Sequence, residues 1–145
     1  MSPDSWMLVH LVAVAVLTGV GWVVQLVVYP GFAHVGDREW PAFHGAHSRA
    51  ITRVVGVPWA VQGVSTLGLL LAPPPDRWAA VLVLAALAAA TVASTVLVAV
   101  PAHRRLGHTR RGDVPSRDLA VLLRANLART LAWTAATGVA AVLLA

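Results

Sequence analysis

The chain has 145 residues, 58% of them hydrophobic, with no cysteine and a formal net charge of +5 whose positive side is arginine alone, since lysine is absent. A mean hydropathy of +0.74 belongs to an integral membrane protein, and the length leaves room for one domain, residues 1–145. Missing cysteine excludes disulfides and thiol chemistry. Nucleic-acid binding is disfavoured, because the basic residues are juxtamembrane and no soluble domain presents them.

A membrane-crossing helix needs about 20 mainly apolar residues. Residues 6–29, 54–72, 78–100 and 119–144 meet that length. The expected fold is all-α, a four-helix transmembrane bundle. Met1-Ser-Pro-Asp-Ser-Trp6 has no basic region, and the apolar run behind it exceeds the roughly 7 to 15 residues of a signal-peptide core, so it reads as a retained first span. Within that span Thr18, Trp22, Gln25 and Tyr29 recur at helical spacing.

After Tyr29-Pro30, residues 37–53 begin acidic and end basic, which predicts an interfacial helix between spans one and two, with Pro41 in its first turn and Asp37 as its cap. Span two carries Pro58, placed to kink it, and then Gln62 and Ser65 on one line. Ala72-Pro-Pro-Pro-Asp76 makes a stiff turn. Span three offers Thr91, Ser94 and Thr95, and span four Asn126, Arg129, Thr130, Trp133 and Thr137, with Asp113 or Ser116 to cap it. Turned inward, these lines either surround a polar cavity or tie helices together by hydrogen bonds. Gly19, Gly21, Gly63 and Gly68 offer surfaces for close helix approach and permit a homo-oligomer. A faint internal repeat pairs Pro30-Gly-Phe-Ala-His34-Val-Gly36 with Pro101-Ala-His103-Arg-Arg-Leu-Gly107.

Arg38, Arg49 and Arg53 follow span one, and Arg104, Arg105, Arg110, Arg111 and Arg117 follow span three, whereas the other side has only Arg77. This bias predicts a multi-pass protein of the cell membrane with loops 30–53 and 101–118 cytoplasmic and both termini outside. Membrane lipid is the expected partner of that basic rim, with Arg49 and Arg53 placed to meet a lipid phosphate or an anionic substrate.

Five of the six histidines, His34, His44, His47, His103 and His108, fall at the same end as the arginines, and His10 lies far from them as a packing residue. His44 and His47 share one helix face. A single metal ion would need at least one more ligand, for which His103, His34, Asp37 and Glu39 are available, and without a metal the pair suits acid–base chemistry, because histidine titrates near 6.5. Arg129 lies about 15 Å into span four at 1.5 Å per residue, too deep to reach the surface easily, and no span holds a carboxylate to pair with it. Its partner is therefore a carbonyl, Gln25, Tyr29, Asp37, Glu39 or an anionic ligand.

Taken in order, Tyr29-Pro30-Gly-Phe32, Trp40-Pro-Ala-Phe-His44-Gly-Ala-His47, Val-Pro101-Ala-His103-Arg-Arg-Leu and Asn126-Leu-Ala-Arg129-Thr130-Leu-Ala-Trp133 resemble the small four-span anthrone-oxygenase-like proteins. The resemblance implies a membrane oxygenase acting on an apolar aromatic substrate of polyketide type. It carries function to Asn126, Arg129, Thr130 and Trp133 and to His44 or His47, and carries over no metal requirement; the choice between no cofactor and a single metal ion comes from the histidines themselves. The expected catalytic set is His44, His47, Asn126 and Arg129, with Gln25, Tyr29, Trp40, Arg49, Arg53, Thr130 and Trp133 around the substrate. In that scheme Arg129 and Asn126 stabilise an oxyanion and a histidine removes a proton. The rival readings are a non-catalytic membrane protein that recruits anionic lipid or a partner, and a metal- or haem-binding membrane protein.

Overall fold

A computed structural model describes residues 1–108 and 117–145. Four helices, α1 (Pro3–His34), α2 (Trp40–Leu71), α3 (Trp78–His108) and α4 (Arg117–Leu144), are each long and apolar enough to cross a membrane. They form an all-α bundle. Valines and leucines such as Leu8, Val12, Val64, Leu97 and Leu131 stay exposed on its outer faces. That is the pattern of a helix whose solvent is lipid.

Local chemistry sets the helix ends. Ser2 caps α1 by accepting the Ser5 N–H at 3.2 Å, with Pro3 in the first turn. α2 begins where the Trp40 N–H reaches the Gly36 carbonyl at 2.9 Å. Glu39 rather than Asp37 holds the cap position, and Pro41 takes the first turn as its fixed φ favours. The turn between α2 and α3 closes through the Arg77 N–H on Pro74 O at 3.2 Å and places Asp76 at φ 58°, left-handed backbone that Asp tolerates better than most residues. Arg77 also donates to the Leu143 carbonyl and so ties this turn to the end of α4. Arg110, Arg111, Asp113 and Ser116, expected as loop charges and a cap, lie outside the described residues.

Two expectations need correction. No separate interfacial helix lies between the first two spans, because residues 40–53 are the opening turns of a continuous 32-residue α2. At 1.5 Å per residue α2 is about 48 Å long against a hydrocarbon layer of about 30 Å, so those turns project past the apolar slab without a break. α1 and α3 likewise run on through Pro30 and Pro101. Each is widened just before its proline into a π-helical stretch, Val24–Val28 in α1 and Thr95–Ala99 in α3. A proline lacks the N–H for the preceding turn and crowds its carbonyl, and a π-bulge absorbs both effects. The faint sequence repeat therefore coincides with a shared helix irregularity.

α1 packs most closely on α4 and α2, α3 packs on α4, and the α2–α3 seam is the loosest. Gly21 and Gly68 allow the tight contacts, lying against Thr130 and Trp6, whereas Gly19 and Gly63 face open space. The interior has two apolar clusters. Tyr29, Phe32, Trp40, Ala102, Leu106 and Leu122 fill the loop end, and Met7, Val14, Leu17, Leu69, Leu84 and Ala136 fill the end near the termini. His10 is wholly buried at that second end, its Nδ1 3.2 Å from Ser65 Oγ and 3.4 Å from Thr66 Oγ1.

Candidate functional site

Between the apolar clusters lies a cavity of about 150 Å³. Tyr29 from α1, Trp59 from α2, Thr95 and His103 from α3, and Arg129 and Trp133 from α4 are among its walls, as is Asn126. The π-helical stretch of α3 begins at Thr95, which accepts a hydrogen bond from Arg129 Nη1 at 2.9 Å and donates its own proton to the Thr91 carbonyl at 2.8 Å. Arg129 Nη2 donates to Asn126 Oδ1 at 3.4 Å. Besides these two bonds the guanidinium meets the Tyr29 side chain, one of the partners expected for it, while Nε is buried with no partner. Among the described residues no carboxylate pairs with Arg129; the ion pair found is Arg105 to Asp118 at 2.8 Å, on the surface.

Asn126 does not serve as the oxyanion donor expected of it. Its amide nitrogen donates to the Gly21 carbonyl at 3.1 Å and to Gln25 Oε1 at 2.9 Å, which uses both N–H groups. Asn126 instead aims Arg129, and Gln25 holds Asn126 without itself walling the cavity. Trp133 donates to Gln62 Oε1 at 3.1 Å, fixing the indole as a wall. Thr130 is wholly buried under Gly21, its Oγ1 without a partner, and does not wall the cavity.

Beside Arg129, which interacts with the Tyr29 side chain, a chain of polar contacts leads from Tyr29 to the loop end. The Tyr29 hydroxyl lies 3.1 Å from His103 Nε2, and His103 Nδ1 lies 3.3 Å from His44 Nε2. His44 faces a second, open groove of about 420 Å³ beside Pro41, Ser48, Gly107 and His108, and His103 borders both spaces. Phe32 and Trp40 brace these rings, with the Trp40 and His44 centroids 5.2 Å apart. Trp40 is 1% exposed and donates to the Leu106 carbonyl at 3.2 Å, so it is a core residue and not the substrate contact expected.

His103 thus occupies the cavity wall that His44 and His47 were expected to share. His47 stacks on Phe43, with centroids 6.4 Å apart and planes 12° apart, and its Nε2 is buried without a partner. His34 is exposed and apart. Arg49 and Arg53 are exposed as well, so neither meets the cavity. At 100° per residue they sit about 140° and 180° around α2 from His44, while Ile51, Val55 and Trp59 return to its side. The expected metal site on His44, His47 and His103 is not built, since among the described residues no group of three His, Asp or Glu side chains is placed to hold an ion. His44 and His103 turn nitrogens toward each other to share a proton, and His47 turns to Phe32 and Phe43.

Compared with known proteins, the chain matches no family profile, no characterised protein and no solved structure. Trp59 and Thr52 are cavity residues absent from the expected set; Trp59 falls toward the helical line through His44 and Gln62, which was a signal, whereas Thr52 lies about 80° from it and gave none.

Proposed function

We propose that the protein is a membrane-embedded enzyme that deprotonates an apolar, oxygen-bearing aromatic compound and exposes the resulting anion to dioxygen, an oxygenase of the natural-product tailoring type. The observation that carries this reading is the meeting, at one cavity, of a guanidinium whose Nε has no partner and a Tyr29–His103–His44 chain of hydrogen-bonded side chains. Arg129 stabilises the developing oxyanion in a site screened from water, where a preorganised charge is worth most.

The relay balances the proton. Substrate gives a proton to the Tyr29 oxygen as Tyr29 passes its own to His103 Nε2; His103 then releases the Nδ1 proton to His44 Nε2, and His44 sheds one from Nδ1 to the groove. Each imidazole stays neutral overall and changes tautomer. An anthrone-type enolate formed this way takes up dioxygen; the ring methylene becomes a carbonyl with one oxygen atom, and the other leaves as water with the remaining methylene hydrogen and one proton returned along the relay, which restores the starting tautomers. No further reductant is needed.

The arginine bias supports placing the histidine end in the cytoplasm, and exposed Arg49 and Arg53 suit lipid headgroups there. The test is oxygen uptake with anthrone and with a single-ring quinol by protein in lipid nanodiscs. Uptake above that of empty nanodiscs, lost in Arg129→Met and in Tyr29→Phe, supports the reading; equal uptake by all three proteins overturns it.

A further inference from the structure

The loose α2–α3 seam opens on the lipid side as a groove of about 420 Å³, walled by Gly56, Ala60 and Gly63 of α2 and by Ala88, Val92 and Val96 of α3. Its lining is almost wholly apolar. Trp59 walls both this groove and the cavity that holds Arg129, so one half-buried indole separates the two. Gln62 also borders the groove; it is 1% exposed, its oxygen takes the Trp133 N–H, and its amide nitrogen is buried with no partner. A buried donor of this kind costs free energy unless something supplies an acceptor.

The inner cavity limits what it can enclose. About 150 Å³ is the size of an apolar cavity that takes one benzene ring, well below the roughly 300 Å³ at which pockets for larger ligands begin. A ring carrying a long substituent therefore cannot be held there entire. The continuation is past Trp59 into the groove, whose walls at Gly56 and Gly63 have no heavy atom within 4 Å of where a side chain would start.

We propose that the ligand is a single-ring phenol or quinol bearing an apolar chain, with the ring held at Arg129 and Tyr29 and the chain lying in the α2–α3 groove; a quinone, its oxidised form, binds there as a product analogue. An oxygen substituent beside the chain meets the free Gln62 amide. This substrate class rests on the cavity reading above and narrows it from fused-ring anthrones to a single ring, the size the cavity admits. The ligand enters sideways from the bilayer, and only the proton leaves through the histidines.

The experiment uses the full chain in nanodiscs and reads quenching of tryptophan fluorescence by two probes, a methoxylated benzoquinone and the same ring with a ten-carbon chain, against empty nanodiscs. The chain is expected to lower Kd by about tenfold, through packing and not through hydrophobic transfer, since lipid is equally apolar. Ala60→Phe and Val92→Phe, one from each wall, should erase that difference and leave the Kd of the bare ring within about twofold. An advantage of the chain that survives in both variants overturns the groove assignment. So does crosslinking that finds a second copy of the protein in the groove. The bare ring tests the parent reading separately: if Arg129→Ala leaves its Kd unchanged, the cavity reading falls, and the groove assignment with it.

Discussion

The Tyr29 hydroxyl lies 3.1 Å from His103 Nε2, so the end of α1 and the last turns of α3 share a proton across the bundle. Tyr29→Phe keeps the ring and removes that proton. Turnover should fall by about 100-fold with little change in KM, the usual scale for losing a positioned acid–base group, and stability should drop by about 1 kcal/mol because His103 loses a buried partner. Steady-state oxygen uptake and a thermal melt in the same detergent decide it, and a loss of less than about threefold in turnover sinks the relay.

Arg129 separates function from stability. A buried guanidinium held by Thr95 and Asn126 without a carboxylate is costly to desolvate, and an apolar replacement of similar length removes that cost. Arg129→Met should therefore melt at the same temperature or higher while turnover falls by about 100-fold or more. Arg129→Lys should lose almost as much activity, because one ammonium cannot span Thr95 and Asn126 as the planar fork does. A lysine variant with near-native turnover would show that charge alone suffices.

The four spans were legible because an apolar run of about 20 residues has few other uses, and Arg129 stood out by its depth. Helix ends were less legible. Hydropathy stops where the apolar slab stops, whereas backbone hydrogen bonding continues α2 back to Trp40 through charged and histidine-bearing turns. Within the site, periodicity placed Asn126 and Arg129 on one face but could not say which donors stay free. That depends on Gly21 and Gln25, which lie on another helix and use up the Asn126 amide. The exchange of His47 for His103 has the same origin, since the rotation of α2 against α3 is fixed by Trp40 bonding to Leu106 and by no pattern within either helix.

Close packing of α1 on α4 depends on Gly21. A Cβ there would come 2.6 Å from Thr130 Oγ1, on a wholly buried β-branched residue with little freedom to turn away. Gly21→Ala should destabilise by about 1–3 kcal/mol and displace Asn126, whose amide bonds the Gly21 carbonyl. Gly138→Ala, where nothing lies within 4 Å, should be neutral or stabilise by up to about 1 kcal/mol. Melting both variants side by side tests the packing, and equal shifts would mean that helix propensity and not contact governs Gly21.

His44 is the last member of the proposed relay, and its Nδ1 faces Gly107. A Cβ at 107 would sit 3.1 Å from that nitrogen and 3.3 Å from Cε1, close enough to force the ring off its line to His103. Gly107→Ala, a change that alone favours a helix, should leave the melting temperature nearly unchanged and slow turnover by about tenfold. His44→Ala removes the acceptor altogether and opens space onto the groove at the loop end, so free imidazole at millimolar concentration should restore part of the lost rate. Rescue distinguishes a proton-carrying histidine from one that merely fills space, because imidazole restores the nitrogen without the packing of the native side chain. If Gly107→Ala runs at the native rate and imidazole has no effect on His44→Ala, protons leave the cavity by another route and the relay ends at His103.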